Sequence, residues 1–143
     1  MKLAIAADHG GFELKEQIKE HLIKRDIEVV DLGTHDCQSV DYPTFGKACG
    51  EEVASGRVER GIVCCGTGVG ISIAANKVKG IRCALATNVF MAEMAKRHNN
   101  ANILALGGRV LSPEEAIVMV DAWLDNKFEG GRHQRRVDML DQI

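Results

Sequence analysis

The chain is short of aromatic rings. One Trp, one Tyr and four Phe among 143 residues are too few to supply the stacking platforms on which single-stranded nucleic acid is held. It also lacks an excess of either charge: eighteen Lys and Arg stand against twenty Asp and Glu, a formal net charge of −2. That balance disfavours a general polyanion binder, so nucleic acid is not an expected partner. Long apolar runs are missing too. Leu3 to Ala7 ends at Asp8, far short of a signal h-region or a membrane span, so no membrane partner and a cytoplasmic location are expected. The five cysteines, Cys37, Cys49, Cys64, Cys65 and Cys83, show no C-x-x-C spacing. An odd, unclustered set argues against a disulfide framework or a zinc site, so no metal is expected. Most should be small buried hydrophobes, with at least one reactive.

What is present is enough for one core. Apolar residues make up 45% and charged residues 27%, and the length suits one domain, residues 1–143. Strand-length apolar runs recur at Leu3–Ala7, Val29–Leu32, Gly61–Cys65, Cys83–Ala86 and Ile103–Leu106. Between them lie stretches with helical spacing, Phe12–Lys24, Phe45–Ala54, Val89–Arg97 and Pro113–Asn126. Ser112, Pro113 and Glu115 form a capping signature for the last of these. Continuous rather than alternating apolar strands imply burial on both faces. The expected fold is a Rossmann-like three-layer α/β/α sandwich with a five-stranded parallel sheet. Residues 128–143 read as a C-terminal arm: the glycine pair Gly130-Gly131 resembles a hinge leading to a detached basic segment that docks on a partner subunit.

In such a sheet ligands gather at the carboxyl ends of strands, which makes the strand exits informative. They read Asp8-His9-Gly10-Gly11, Gly66-Thr67-Gly68-Val69-Gly70 and Gly107-Gly108-Arg109, and all three can face one crevice. The second is the strongest signal: Cys64-Cys65 runs into a glycine-rich loop that opens a helix, whose free amides suit an anion. The dinucleotide fingerprint fails because Ile71 stands where its third glycine belongs, and no Gly-Lys-Ser/Thr follows for a Walker A loop. A thiol phosphatase loop fails for want of an arginine at position 71. An anion cradle beside a thiol remains. Loop amides favour the thiolate, which can then act as a base; the plainer reading makes both cysteines core residues. Alternation puts the two on opposite faces, and adjacency to Gly66 favours Cys65 as the one that meets the crevice. Asp8 and His9 can bind a polar ligand or simply serve as loop and N-cap residues. His98 and Asn99 precede a strand where Asn tolerates unusual backbone angles. Arg132 and Arg136, four apart, share one helical face and can clamp a phosphate or stand solvated. Asp41-Tyr42-Pro43 reads as a turn opening a helix, with a ligand role as the lesser alternative.

Taken together, these segments resemble the type B ribose-5-phosphate isomerases, a family that includes allose-6-phosphate and galactose-6-phosphate isomerases. The likeness rests on Ala7–Gly11 with Leu14-Lys15, Asp41–Pro43, Cys65–Lys77, Arg97–Asn99, Leu106–Arg109 and Glu129–Val137. It implies a cofactor-free aldose-ketose isomerase that interconverts ribose 5-phosphate and ribulose 5-phosphate through an enediolate. Cys65 would be the base. Gly66, Thr67, Gly68, Val69 and Gly70 would stabilise the enediolate oxygens through backbone amides, and His98 would donate a proton in ring opening, assisted by Thr67 and Asp8. His9, Arg132 and Arg136 would bind the phosphate, and Asn99 and Arg109 the sugar or phosphate. The resemblance also implies a homodimer, or a tetramer of such pairs, with sites at the interface. A hexose 6-phosphate substrate, a non-catalytic sugar-phosphate sensor and a redox switch at Cys64-Cys65 are the competing readings.

Overall fold

The computed structural model describes residues 1–143. Six helices flank a five-stranded all-parallel sheet, in the order β1 (Lys2–Ala7), α1 (Phe12–Lys24), β2 (Glu28–Asp31), α2 (Tyr42–Ala54), β3 (Arg60–Cys65), α3 (Val69–Asn76), β4 (Cys83–Leu85), α4 (Val89–Arg97), β5 (Ile103–Gly107), α5 (Pro113–Asp125) and α6 (Arg132–Asp141). No helix is long and apolar enough to cross a membrane. The strands lie side by side as β2-β1-β3-β5-β4. The three-layer parallel architecture expected from the uninterrupted apolar strands is therefore present. The inner strands β1, β3 and β5 are buried along nearly their whole length, while β2 and β4, at the edges, are only half-buried.

Side chains alternate across this sheet and build two cores. Leu3, Ile5, Ile62, Cys64, Leu104 and Leu106 pack with Leu14, Ile18 and Leu22 of α1, Ala92 and Ala95 of α4, and Trp123 of α5. Ala4, Ala6, Val63, Cys65, Ile103 and Ala105 pack on the other side with Cys49 and Val53 of α2 and Ile71 and Ala75 of α3. Each helix buries a stripe because its apolar residues recur three or four apart. The Ser112 hydroxyl accepts from the Glu115 amide at 3.2 Å while the Glu115 carboxylate accepts from the Ser112 amide, closing the capping box at α5. Helix α2 begins at Tyr42 rather than at Phe45, because Asp41 stays extended as its N-cap and Pro43 suits a first turn.

Chain order across the sheet turns round at β1. The chain steps outward to β2, crosses back over β1 to β3, and fits β5 between β3 and β4. The carboxyl ends of β1 and β3 are thus adjacent at a topological switch point, where open α/β sheets carry their crevice.

The arm departs from expectation. It is not detached: Val137 and His133 of α6 are buried, Arg82 Nη1 pairs with Asp141 Oδ1 at 2.8 Å, and the Glu129 amide donates to the Arg97 carbonyl at 3.0 Å. Gly130 and Gly131 both adopt positive φ, +70° and +58°, which turns the chain back so that His133 of α6 meets His98 at the end of α4.

One buried ion pair ties the outer strand to α1. Lys15 is fully buried, with Nζ 2.9 Å and 2.7 Å from the two Asp31 carboxylate oxygens. Burial alone would raise the Asp31 pKa, but hydrogen bonds from Lys15, the Gly33 amide and Lys19 outweigh it and hold the group below its ordinary 3.8. A carboxylate with a depressed folded pKa stabilises the fold above its unfolded value, and that stability drains away as pH falls below 3.8. Lys15→Met, which leaves Asp31 with Lys19 and one amide, is expected to cost about 3 kcal/mol in urea unfolding at neutral pH. The loss should shrink on acidification; an equal loss on both sides of that pH would refute the charge account.

Candidate active site

The three glycine-bearing strand exits meet at one place. Gly108 donates its amide to the Cys65 carbonyl at 2.8 Å and Arg109 donates to the Gly66 carbonyl at 2.9 Å, which locks the β5 exit onto the β3 exit. The β1 exit touches both: a Cβ added at Gly10 would lie 3.0 Å from the Gly66 nitrogen and 3.4 Å from Arg109 Cζ. Glycine is what permits this backbone approach. The Arg109 guanidinium consequently lies across Gly10 and Gly66.

Cys65 ends β3 on the face toward α3, and Cys64 faces the opposite core. The Cys65 side chain is 5% exposed and its Sγ accepts the Gly68 amide at 3.1 Å. An N–H aimed at sulfur stabilises negative charge there. Cys64 is wholly buried without such a donor, and burial pushes its thiol well above the ordinary value. Gly68 reaches its position only at φ +83°, and a Cβ there would lie 2.6 Å from Leu85 Cδ1. This residue is the N-cap of α3 and has no side chain with which to cap it. The first amides of α3 have no acceptor within the helix. Thr67 sits exposed at the loop tip, its Oγ1 accepting the Val69 amide at 3.2 Å.

Asp8 is buried, and its Oδ1 accepts from the Gly10 and Gly11 amides at 2.9 and 3.1 Å. The loop-bracing role weighed for it is thus real. His9 Nδ1 accepts the Val40 amide at 3.2 Å. A neutral imidazole accepting at Nδ1 carries its proton on Nε2, leaving a donor for an anion.

The remaining expected site residues lie elsewhere. His98 closes α4 and Asn99 follows it, just before β5 begins, while Arg132 and Arg136 stand exposed on α6. Asn100 adopts φ +46°, the unusual backbone angle anticipated for this stretch. Strand pairing runs from Gly61↔Ile103 to Cys65↔Gly107, so the sheet separates the two groups by on the order of 13 Å along the strands. One chain brings together Asp8, His9, Cys65, Gly66–Gly70 and Arg109 at the carboxyl edge. It gathers His98, Asn99, Arg132 and Arg136 at the amino edge. The two sets do not meet within the chain.

The model of the Ribose/Galactose Isomerase family matches residues 3–140. The chain belongs to that family. It is 47% identical over 142 residues to ribose-5-phosphate isomerase B of Escherichia coli, covering 99% of this chain and 95% of that one. It superposes on ribose-5-phosphate isomerase B of Clostridium thermocellum with a TM-score of 0.98 at 56% identity, covering 99% and 96% of the two chains. The Mycoplasma genitalium ribose-5-phosphate isomerase B, solved with bound ribulose-5-phosphate, matches with a TM-score of 0.94 at 43% identity, over 99% and 94%.

Two groups of this Ribose/Galactose Isomerase family member are not legible in the sequence. A Cβ at Gly70 would lie 2.7 Å from Tyr42 Cε1 and Cζ, so the Tyr42 ring covers one wall of the glycine loop; the Asp41–Pro43 pattern marks a turn and does not say where the ring points. At the other edge the His133 ring stacks on His98, centroids 4.1 Å apart and planes 9° from parallel, with Glu129 beside both. A sequence spacing of thirty-five between stacked rings carries no periodic signal.

Proposed function

We propose that the chain, residues 1–143 as one domain with 128–143 as its arm, is an aldose-ketose isomerase acting on ribose 5-phosphate and ribulose 5-phosphate. The observation that carries this reading is the sulfur of Cys65 facing a left-handed glycine amide at the meeting point of three strand exits. Family membership and the sugar phosphate bound by the Mycoplasma relative support the substrate class.

The chemistry is built from these parts. Moving a carbonyl between the first two sugar carbons needs one base that takes the C2 proton and returns it to C1. As a thiolate, Cys65 would take that proton; the electron pair left behind forms the C1–C2 double bond and pushes the carbonyl pair onto O1. The O2 hydroxyl proton passes to O1 through the enediolate, and return of the carbon proton from Cys65 to C1 leaves the carbonyl at C2 as the ketose. Amides of the Gly66 to Gly70 loop other than those held by Cys65 Sγ and Thr67 Oγ1 would stabilise the enediolate charge without reorganising, as an oxyanion hole does. The cyclic substrate must first open. His98 would supply the proton to the ring oxygen, with Thr67 and Asp8 assisting, while Arg132, Arg136, His9, Asn99 and Arg109 would hold sugar and phosphate.

That assignment requires two copies. His98, Asn99, Arg132 and Arg136 sit at the amino edge of their own sheet, so a homodimer would bring the amino edge of one copy to the carboxyl edge of the other. Exposed Val69, Ile73, Phe90 and Met91 near the starts of α3 and α4 offer apolar surface for such an interface. Five unpaired thiols, Cys37 among them exposed, fit a reducing cytoplasm.

Purified protein is expected to interconvert the two pentose phosphates with a higher kcat/KM than it shows on allose or galactose 6-phosphate. A preference for either hexose would move the substrate assignment; tight binding of all of them without turnover would make the protein a sensor.

A further inference from the structure

The His98 ring does not stand alone. His133 lies flat against it, and the two Nε2 atoms are each 3.7 Å from the same Glu129 oxygen, Oε1. The other oxygen, Oε2, accepts from Arg97 Nε at 2.7 Å, and Arg97 Nη1 in turn holds Glu93 at 2.8 Å. The Glu129 amide is tied to the Arg97 carbonyl. A carboxylate fixed at both its backbone and its side chain thus looks at the edges of two stacked imidazoles. His133 is 7% exposed, and its Nε2 is a buried polar atom with no hydrogen-bond partner. Buried nitrogens are normally paired, and one left unpaired needs a reason.

A metal is a poor reason. Although the ligand atoms of His98, Glu129 and His133 lie within 4.8 Å of one another, parallel rings aim their lone pairs side by side, whereas a shared ion needs them to converge at about 2.0–2.2 Å. We propose that His133 and Glu129 are positioning residues for His98, the first fixing the plane of its ring and the second orienting its proton-bearing edge for ring opening in the neighbouring copy's site. This rests on the ring-opening role proposed for His98. Desolvation and the nearby His98, Arg132 and Arg136 charges lower the His133 pKa, against the opposing pull of Glu129. A neutral His133 can press on His98 without repelling its proton, where two imidazolium rings at that distance could not coexist cheaply.

The chemistry of the two substrates separates this step from the proton shuttle. Ribose 5-phosphate is mostly a cyclic hemiacetal and must be opened, whereas ribulose 5-phosphate cannot close a furanose because its O5 carries the phosphate. Glu129→Gln and His133→Ala are expected to lower kcat on ribose 5-phosphate by about tenfold to a hundredfold, the cost of a misplaced catalytic group, and to lower kcat on ribulose 5-phosphate by less than about twofold. The KM for ribose 5-phosphate should fall in proportion to its kcat, because unopened ring then occupies the site non-productively and the equilibrium constant fixes the ratio of the two kcat/KM values. His133→Phe keeps a flat ring and forfeits no hydrogen bond within the chain, because neither ring nitrogen of His133 makes one and Nε2 is buried without a partner; it should restore most of the lost rate and fold at least as stably as the parent. His98→Asn should show the same split between substrates. If it does and the Glu129 and His133 variants do not, the positioning role falls while the His98 assignment stands; if His98→Asn shows no split, both fall. A rise in KM for both substrates in His133→Phe would make His133 a substrate contact, and loss of activity on chelation would make the trio a metal site. Either result overturns the proposal.

Discussion

Cys65→Ser is expected to lower kcat on ribose 5-phosphate by about 100- to 10,000-fold, the usual cost of removing a general base, with KM little changed. Serine is nearly isosteric, and its hydroxyl can accept the Gly68 amide that now meets Sγ at 3.1 Å. A hydroxyl is a far weaker acid than a thiol and yields its alkoxide far less readily, so the loss falls on the chemical step. Cys64→Ser is the natural control. That sulfur lies on the opposite face among Leu14, Ile62 and Leu106, and burying a hydroxyl there without a partner costs stability, about 1–3 kcal/mol, not turnover. Steady-state kinetics beside thermal melts separates the two outcomes. A Cys65→Ser enzyme with full activity would remove the sulfur from the mechanism, and a Cys64→Ser enzyme that melts normally but is inactive would mean the wrong cysteine had been chosen. The opposed faces also bear on the redox reading of this pair, since two sulfurs divided between separate cores do not lie together for a disulfide.

Mixing two variants impaired on ribose 5-phosphate should restore activity on that substrate. If each site takes Cys65 from one copy and His98 from the other, a Cys65→Ser subunit paired with a His98→Asn subunit carries one site with both lesions and one with neither. Equal amounts refolded together form hybrids in half of the dimers, so about a quarter of the parental activity should return. Neither variant alone, nor the two mixed without subunit exchange, should rise above its own residual rate on ribose 5-phosphate. The observation behind this is that the strand ladder from Gly61↔Ile103 to Cys65↔Gly107 stands between the two groups within a chain. Failure of hybrids to regain activity, with mixed dimers demonstrated by differential tagging, would place both residues in the service of different sites or return His98 to a purely structural part.

Local signals explain most of what is readable in the sequence. Helices α1 and α4 match the apolar spacing to the residue, because amphipathic periodicity and caps act within one or two turns. The Cys65 loop is legible because its glycines answer backbone demands, most plainly Gly68 with its positive φ. Opposite facing of Cys64 and Cys65 comes from the pleat alone. The arm misleads for an equally physical reason: Gly130 and Gly131 mark a sharp turn in the chain, and they do not say whether α6 leaves the body or folds back on it.

Composition and pattern in this chain thus decided the layer architecture, the parallel sheet and the thiol at the glycine loop, since burial of apolar strands and backbone geometry at glycine are properties of neighbours along the chain. Only the tertiary structure decided that Tyr42 covers that loop, that His133 and Glu129 attend His98, and that the expected site residues divide between opposite edges of the sheet. Those relations depend on how distant segments cross in space, which crossover connections set and short-range periodicity does not encode.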